Sequence, residues 1–415
     1  MTVAVIGAGI VGVSTALYLK RGGANVVLID REGPAAGTSY GNAGLLASSF
    51  VIPTNGPTLW RDLPGYLVRS DSPLFLDPKH LLKAMPWIVG VMRRANRKDA
   101  RTAAHAMAPL IANSPDEHLR LAKDTPAERF IVNEDMIGLY ASKRAYEKEA
   151  FAWKTREELD LPHQLIDIEA LREQDPFFAQ VEGFPIIYPN HGHIKKPGAY
   201  VQALSEHFQT LGGQVVKAEV SGFTTENGKV RAVKTDQDDI PCETVVLAAG
   251  AWSKDLMKAL GIDIPLIGER GYHLEFVNPS MMPKTAVMMT KGKFGVAPME
   301  DRLRCAGLVE IAALDAPPNP RIFRHLEDTV RETFPELTFE RIERWMGPRP
   351  TISDYLPAIG ALKTVRNAYA AFGHQHLGLT AGPRTGRILA DMILGSPDNY
   401  DWSAFDPNRF KRAPM

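Results

Sequence analysis

The chain has 415 residues, 45% of them apolar, and its 48 Lys and Arg balance 48 Asp and Glu. That length suggests two domains, or one nucleotide domain with insertions, and zero net charge argues against a global field for nucleic acid or anionic lipid. Cys242 and Cys305 form no disulfide framework and read as buried thiols; with a first strand starting at residue 3 and no apolar run of bilayer length, the chain reads as cytosolic.

Val3 to Ile6 is an apolar run of strand type. It breaks at Gly7, and a helical pattern follows through Leu17 and Leu19. In Gly7-Ala8-Gly9-Ile10-Val11-Gly12, the first glycine permits a tight turn and the second lets the backbone approach a pyrophosphate. Gly12 lets the helix pack close to the strand, and the helix N-terminus offers N–H groups and partial positive charge to phosphates. Asn25 to Ile29 reads as the second strand and ends at Asp30, about twenty residues downstream, where a ribose hydroxyl is held. A carboxylate there disfavours a 2′-phosphate.

Residues 37–44 form a small, polar, glycine-rich stretch able to lie against a flat ligand, or a plain surface loop. Residues 52–80 are rich in proline and turn residues and yield no side-chain assignment. From 80 to 125 the pattern is helical, with Leu81, Leu82, Met85, Ile88, Val89 and Met92 at helical spacing around Pro86. Arg93, Arg94, Arg97 and Lys98 follow; core on one side with solvated charge on the other is the simple reading, and an amphipathic helix touching a membrane is the second.

A helix is expected over 197–211, ended by Gly212-Gly213, then strands over 214–220, 230–235 and 243–249. Ala251-Trp252-Ser253 leads into another helix. Residues 272–311 are strand-rich, 321–334 look helical, and a last helix runs from about Thr380 or Pro383 to Leu394. Helix–strand units at both ends with antiparallel-looking strands between them predict an α/β fold. Its parts are a Rossmann-type parallel sheet domain (1–80, 190–255, 340–415) and an interleaved α+β substrate domain with a mostly antiparallel sheet (81–189, 256–339).

Several segments, in order along the chain, carry a resemblance. They are Gly7–Gly12, Thr38–Gly44, Val246–Ser253, Gly347-Pro348-Arg349-Pro350, Asp354–Gly360 and Gly373-His374-Gln375-His376-Leu377-Gly378. In these the sequence resembles the FAD-dependent amino-acid and amine oxidoreductases that include D-amino acid oxidase, glycine oxidase and sarcosine oxidase. Within that group it is most similar to the small subunit-type D-amino acid dehydrogenases.

The resemblance implies that Gly7, Ala8, Gly9, Ile10, Val11, Gly12, Asp30 and Arg31 hold the ADP half of FAD. Ser39, Asn42, Ala43, Gly44 and Leu45 run along the pyrophosphate, ribityl chain and flavin. Val220 presents its backbone to adenine, with Ala249, Gly250 and Trp252 lining the same cavity. Gly373, His374, Leu377, Gly378, Leu379 and Thr380 belong to the flavin end, where backbone N–H groups meet the pyrimidine edge; negative charge arriving there is stabilised by a helix N-terminus.

Read from residues alone, an Arg between two prolines suggests a surface turn; the resemblance makes Arg349 the substrate-carboxylate clamp, gripping through two parallel hydrogen bonds. His376 falls at a substrate-facing position, as proton exchanger or structural histidine. Tyr272 is a pocket wall or plain core. The implied reaction is oxidative deamination of a D-amino acid by hydride transfer from Cα to flavin N5, giving an imine and then a 2-oxo acid. A secondary or cyclic amino acid (D-proline or a hydroxyproline derivative, glycine, a sarcosine-like compound) and a noncatalytic flavoprotein subunit are the alternatives. With no second Gly-x-Gly-x-x-Gly, electrons come from the amine and leave to a quinone, a carrier protein or oxygen; Asn42-Ala43-Gly44 favours an acceptor other than oxygen. FAD is expected to be noncovalent, no metal is expected, and peripheral contact with the inner face of a membrane is left open.

Overall fold

The computed structural model describes residues 1–60, 74–396 and 398–413. The sequence dictates a nucleotide-binding sheet first. Thr2–Ile6 is buried over most of its length because it sits inside a six-stranded sheet. Across that sheet the order is Ala358–Ala361, Ala368–Phe372, Thr244–Leu247, Thr2–Ile6, Asn25–Asp30, Gln214–Lys217. All pairs are parallel except the edge pair Ala358–Ala361/Ala368–Phe372. Parallel strands covered on both faces read as continuous apolar runs, as Thr244–Leu247 does. One face carries helices Ile10–Arg21, Pro197–Thr210 and Gly378–Leu394. The other is covered by a small antiparallel sheet, Val220–Glu226, Lys229–Thr235 and Ile240–Pro241.

The second layer is a sheet of ten described strands. Its main path is Arg341–Ile352, Leu266–Val277, Arg302–Ile311, Phe294–Pro298, Val287–Met289, Ile131–Tyr140, Phe184–Ile194, Leu45–Leu46. It is mostly antiparallel, with helix Pro320–Thr333 laying Ile322, Leu326 and Val330 onto it at a four-residue spacing.

The two parts interleave more finely than expected. Arg341–Ile352 and Leu45–Leu46 are strands of the antiparallel sheet, although their segments were assigned to the nucleotide domain. Helices Arg97–Ile111 and Ser114–Ala122, assigned to the substrate domain, bury Met107, Leu110, Ile111 and Leu121 in the same cluster as the first strand and the C-terminal helix. Part of the 52–80 stretch lies outside the described residues; Pro78 to Arg94 is a helix, capped by Asp77, whose carboxylate accepts from the Lys79 N–H. Both cysteines are buried and free.

Candidate active site

Glycine shapes the first turn. Gly7 has φ +103°, and a Cβ there would lie 2.4 Å from the Ala248 carbonyl oxygen; a Cβ on Gly12 would lie 1.8 Å from the Gly7 carbonyl oxygen. Neither position tolerates a side chain, so strand, turn and helix Ile10–Arg21 close together. Gly9 at the helix N-cap has no capping side chain of its own. Instead Ser39 Oγ accepts from the Ile10 N–H at 2.9 Å. The Asp30 carboxylate accepts from Ala8 N–H at 2.8 Å and from Glu32 and Gly33 N–H, which pins the end of the second strand to the glycine turn. The Arg31 guanidinium lies 4.3 Å from the centre of the Trp252 ring.

The glycine-rich stretch after Gly37 is tied down at three points. Thr38 Oγ1 donates to the Pro348 carbonyl at 2.7 Å, His273 Nδ1 bonds the Gly41 carbonyl at 2.9 Å, and Arg304 donates to the Asn42 carbonyl. Arg304 is itself buried and paired with Glu275 at 2.6 Å. Burial pushes the Glu275 carboxyl up, but Arg304 outweighs it and holds the group below its ordinary value. Glycine is required at position 41 because a Cβ would strike Trp345 at 2.1 Å; that indole stacks on His273 at 5.2 Å.

The C-terminal turn closes the opposite end. Gly373 (φ +90°) has Ile352 Cδ1 2.4 Å from where a Cβ would stand, and His374 bridges to Thr351. Helix Gly378–Leu394 then starts with no capping side chain, so its first N–H groups are free for a ligand. Pro383 inside this helix lacks the N–H that would pair with the Leu379 carbonyl. His118 supplies the missing donor: its Nε2 lies 2.9 Å from that carbonyl while Nδ1 faces the Tyr200 hydroxyl at 2.8 Å. Thr380 Oγ1 accepts from Ala47 N–H and donates to the Leu45 carbonyl, locking the helix start to the strand Leu45–Leu46.

Between these two ends lies a cavity of about 520 Å³. Gly7, Gly9, Ile10 and Val11 line it at one end and His374, Gly378 and Leu379 at the other. Asp30, Arg31, Ser39, Asn42, Val220, Ala249, Gly250 and Trp252 form its walls.

Arg349 lies beside the C-terminal turn, on the edge strand Arg341–Ile352. Pro348 and Pro350 line the cavity, and Arg349 between them does not. Its guanidinium lies across Gly271: a Cβ there would be 2.3 Å from Arg349 Cζ. Nη1 donates to the Leu308 carbonyl at 3.1 Å, its one side-chain hydrogen bond among the described residues. Leu308 is the extra residue where the register between Gly271 and Tyr272 slips, and its φ of +59° turns that carbonyl toward the guanidinium. Tyr355 (φ +60°) and Gln375 (φ +54°) are also left-handed, and Gln375 Nε2 donates to the Tyr355 carbonyl. Strained conformations of this kind concentrate where surrounding structure fixes a site.

Burial lowers the Arg349 pKa while the Glu269 carboxylate opposite it in register pulls it back up. Glu269 is pushed up by burial and accepts from Thr351 Oγ1 at 2.9 Å and from the Tyr355 hydroxyl. His376 is held down at about 4 by burial and the nearby Arg349 cation.

Residues 2–392 match the protein family described as FAD dependent oxidoreductase. The chain belongs to this family. It is 35% identical over 416 residues to a D-amino-acid oxidase of Bradyrhizobium diazoefficiens, covering 98% of both chains. A D-amino acid dehydrogenase of Allorhizobium ampelinum is 28% identical over 412 residues, with 97% of this chain and 96% of the relative covered. Among solved structures, glycine oxidase from Geobacillus kaustophilus superposes with a TM-score of 0.74 at 18% identity, covering 98% of each chain.

The chain is therefore an FAD-dependent oxidoreductase, and the cavity fits the cofactor. Two helix N-termini face its ends, one with Ser39 Oγ on the Ile10 N–H and the other with no capping side chain, the cradle at Gly7 and Gly9 is open where side chains would fill it, and Asp30 offers acceptors at the end of the second strand. Eight of the expected cofactor residues do not line the cavity itself. Ala8 and Gly12 shape the turn from behind; Ala43, Gly44 and Leu45 continue beyond it toward the strand Leu45–Leu46; Gly373, Leu377 and Thr380 set the geometry of the last turn. Sequence reasoning missed Trp345, Met346 and Phe372, which line it from strands whose signals are ordinary apolar ones.

Tyr272 does not line the cavity. It is 1% exposed, packs edge-on against Phe323, and its hydroxyl donates to Glu310, which also pairs with the buried Arg270. Of its two readings, plain core is the one its surroundings match.

Proposed function

We propose that this chain oxidises D-amino acids to imines that hydrolyse to 2-oxo acids. The observation that carries the reading is Arg349: a half-buried guanidinium with one main-chain hydrogen bond, whose remaining N–H donors have no acceptor among the described residues. A carboxylate is the planar, two-oxygen partner those donors suit. The names of the D-amino-acid oxidase and dehydrogenase relatives support the same substrate class.

FAD, held noncovalently, supplies the two-electron acceptor for the hydride that leaves Cα. The protein supplies position: Arg349 fixes the carboxylate, and with it the direction of the Cα–H bond. The N-terminus of helix Gly378–Leu394 would offer its N–H groups to the flavin and stabilise negative charge arriving there. Burial and the Arg349 cation hold the His376 pKa at about 4, which favours a neutral imidazole over a proton exchanger at that position. The amine enters as the free base, its nitrogen lone pair closes the C=N bond, and water completes the release of ammonia. Its electrons would leave to a quinone, a carrier protein or oxygen, with Asn42-Ala43-Gly44 favouring an acceptor other than oxygen, from an enzyme of the cytoplasm with peripheral contact to the inner face of a membrane as the second placement.

Anaerobic mixing with D-, L- and N-substituted amino acids tests the reading through loss of the flavin's visible absorbance. D-Amino acids are expected to bleach it. Arg349→Ala should keep its flavin and lose at least about 100-fold in kcat/KM, since two charge-assisted hydrogen bonds of roughly 1.5–3 kcal/mol each disappear. Bleaching by L-amino acids alone, or an unaltered Arg349→Ala enzyme, refutes it.

A further inference from the structure

We infer that the outer face of helix Pro78–Arg94, continued by the first turns of Arg97–Ile111, is a docking surface for an anionic phospholipid bilayer. This makes specific the membrane contact proposed above and is independent of the substrate.

Helix Pro78–Arg94 is apolar on two opposite faces. Ala84, Trp87 and Val91 face inward and are buried. Trp87 Nε1 donates to the Thr351 carbonyl at 3.0 Å, and its ring meets Tyr355 at 6.5 Å. The helix is thus seated on the strand that carries Arg349. On the outward face, Leu82 is 85% exposed, Met85 40% and Val89 38%. Their spacing places them in one stripe, which ends at the exposed Arg93. Three large apolar side chains aligned in water on a helix already anchored by its other face call for a partner.

Charge identifies that partner. Residues 77–101 hold seven Lys and Arg against Asp77 and Asp99, in a chain whose totals balance at 48 and 48. Both acids are engaged locally: Asp77 caps the first helix, and Asp99 accepts from Asn96 Nδ2 at 3.0 Å. Beyond Asn96 an open recess of about 770 Å³ is lined by Arg97, Lys98, Arg101, His105 and Lys154. Glu158 is the one carboxylate lining it and already pairs with Arg101 at 3.0 Å.

An apolar stripe beside a cluster of cations matches an anionic bilayer, which takes Leu and Met into the acyl boundary and Arg among its phosphates. A nucleic acid has no use for the stripe. A second copy meeting this face symmetrically would bring two like-charged surfaces together. Because the back of the helix rests on the Arg349 strand, docking also brings lipid-soluble acceptors of the quinone class to that side of the molecule.

Cosedimentation of the flavin-loaded enzyme with vesicles tests this directly. Binding is expected to vesicles containing phosphatidylglycerol, not to phosphatidylcholine alone, with release as salt rises. Leu82→Gln/Met85→Gln/Val89→Gln and Arg93→Glu/Arg94→Glu/Arg97→Glu should each weaken binding by roughly tenfold or more. Both should keep the flavin spectrum, melting temperature and dye-linked oxidation measured without vesicles. No cosedimentation, equal binding to uncharged vesicles, or a dimer in solution that the Leu82 triple variant splits would overturn the proposal. Vesicle binding by an enzyme that oxidises no D-amino acid would leave this surface standing and sink only the substrate assignment.

Discussion

Gly271→Ala tests the seat of Arg349 without touching the charge. The new methyl would stand 2.3 Å from Cζ, 2.4 Å from Nη2 and 2.6 Å from Nε, whereas ordinary contact begins at 3.4 Å. The guanidinium must therefore retreat by about 1 Å (3.4 − 2.3 = 1.1). That movement strains or breaks its 3.1 Å bond to the Leu308 carbonyl and would rotate the fork away from the carboxylate proposed to bind it. A misplacement of that size is worth roughly 100-fold, or about 2.8 kcal/mol of transition-state binding. Gly271 has no left-handed φ, so alanine costs the strand nothing and even restricts the unfolded chain. The expected result is a protein with full flavin content and an unchanged melting temperature. Its kcat/KM for D-amino acids falls by about two orders of magnitude, and anaerobic bleaching needs far more substrate. Wild-type kcat/KM in Gly271→Ala would refute the argument that this guanidinium, in this place, holds the carboxylate.

Three further outcomes follow from the geometry. Gly12→Ala would drive a methyl into the Gly7 carbonyl at 1.8 Å, so the protein should purify colourless or lose flavin on dialysis; a yellow preparation with tight FAD contradicts the cradle. His118→Phe leaves the Leu379 carbonyl and the Tyr200 hydroxyl buried without their partner, at a cost of about 1–3 kcal/mol each. Urea unfolding and flavin release should both become easier, and unchanged midpoints would dismiss His118 as the prosthesis for Pro383. His118 and His191 are held at about 4 and His374 at about 3 by burial, below an unfolded value near 6.5. Between those limits the unfolded chain binds protons that the folded one refuses, so stability is intact above about pH 6.5 and falls as pH drops toward 4, by roughly 2 kcal/mol per histidine at pH 5. A urea midpoint equal at pH 7 and pH 5 would show that these histidines charge in place.

The nucleotide end of the molecule was legible because its rules are local. Gly7, Gly9, Gly12 and Asp30 lie within one strand–helix–strand unit, and the observed Thr2–Ile6, Ile10–Arg21 and Asn25–Asp30 match that reading closely. Arg349 was harder. Two prolines around an arginine read as a turn, yet Pro348 and Pro350 sit in a twelve-residue strand. The strand tolerates them because it is the edge of its sheet, and that position is set by tertiary pairing rather than by its own residues. Glu269 opposite Arg349, the bulge at Leu308 and the His118 prop beneath Leu379 join residues tens to hundreds of positions apart. No spacing rule links such pairs, so nothing in the sequence marked them. Ile131–Tyr140 and Phe184–Ile194 went unassigned because exposed Asn133, Glu134 and Asp135, and Pro185 and Pro189, interrupt any strand-like alternation.

The prolines beside Arg349 have a consequence beyond its placement. An uncovered sheet margin is a template on which a neighbouring polypeptide can zip up and aggregate. Pro348 and Pro350 delete the amide hydrogens at alternate positions of that margin, and Thr38 occupies the Pro348 carbonyl from outside. The protein can thus carry Arg349 on the outermost strand of its sheet while denying other chains the ladder they would need to stick.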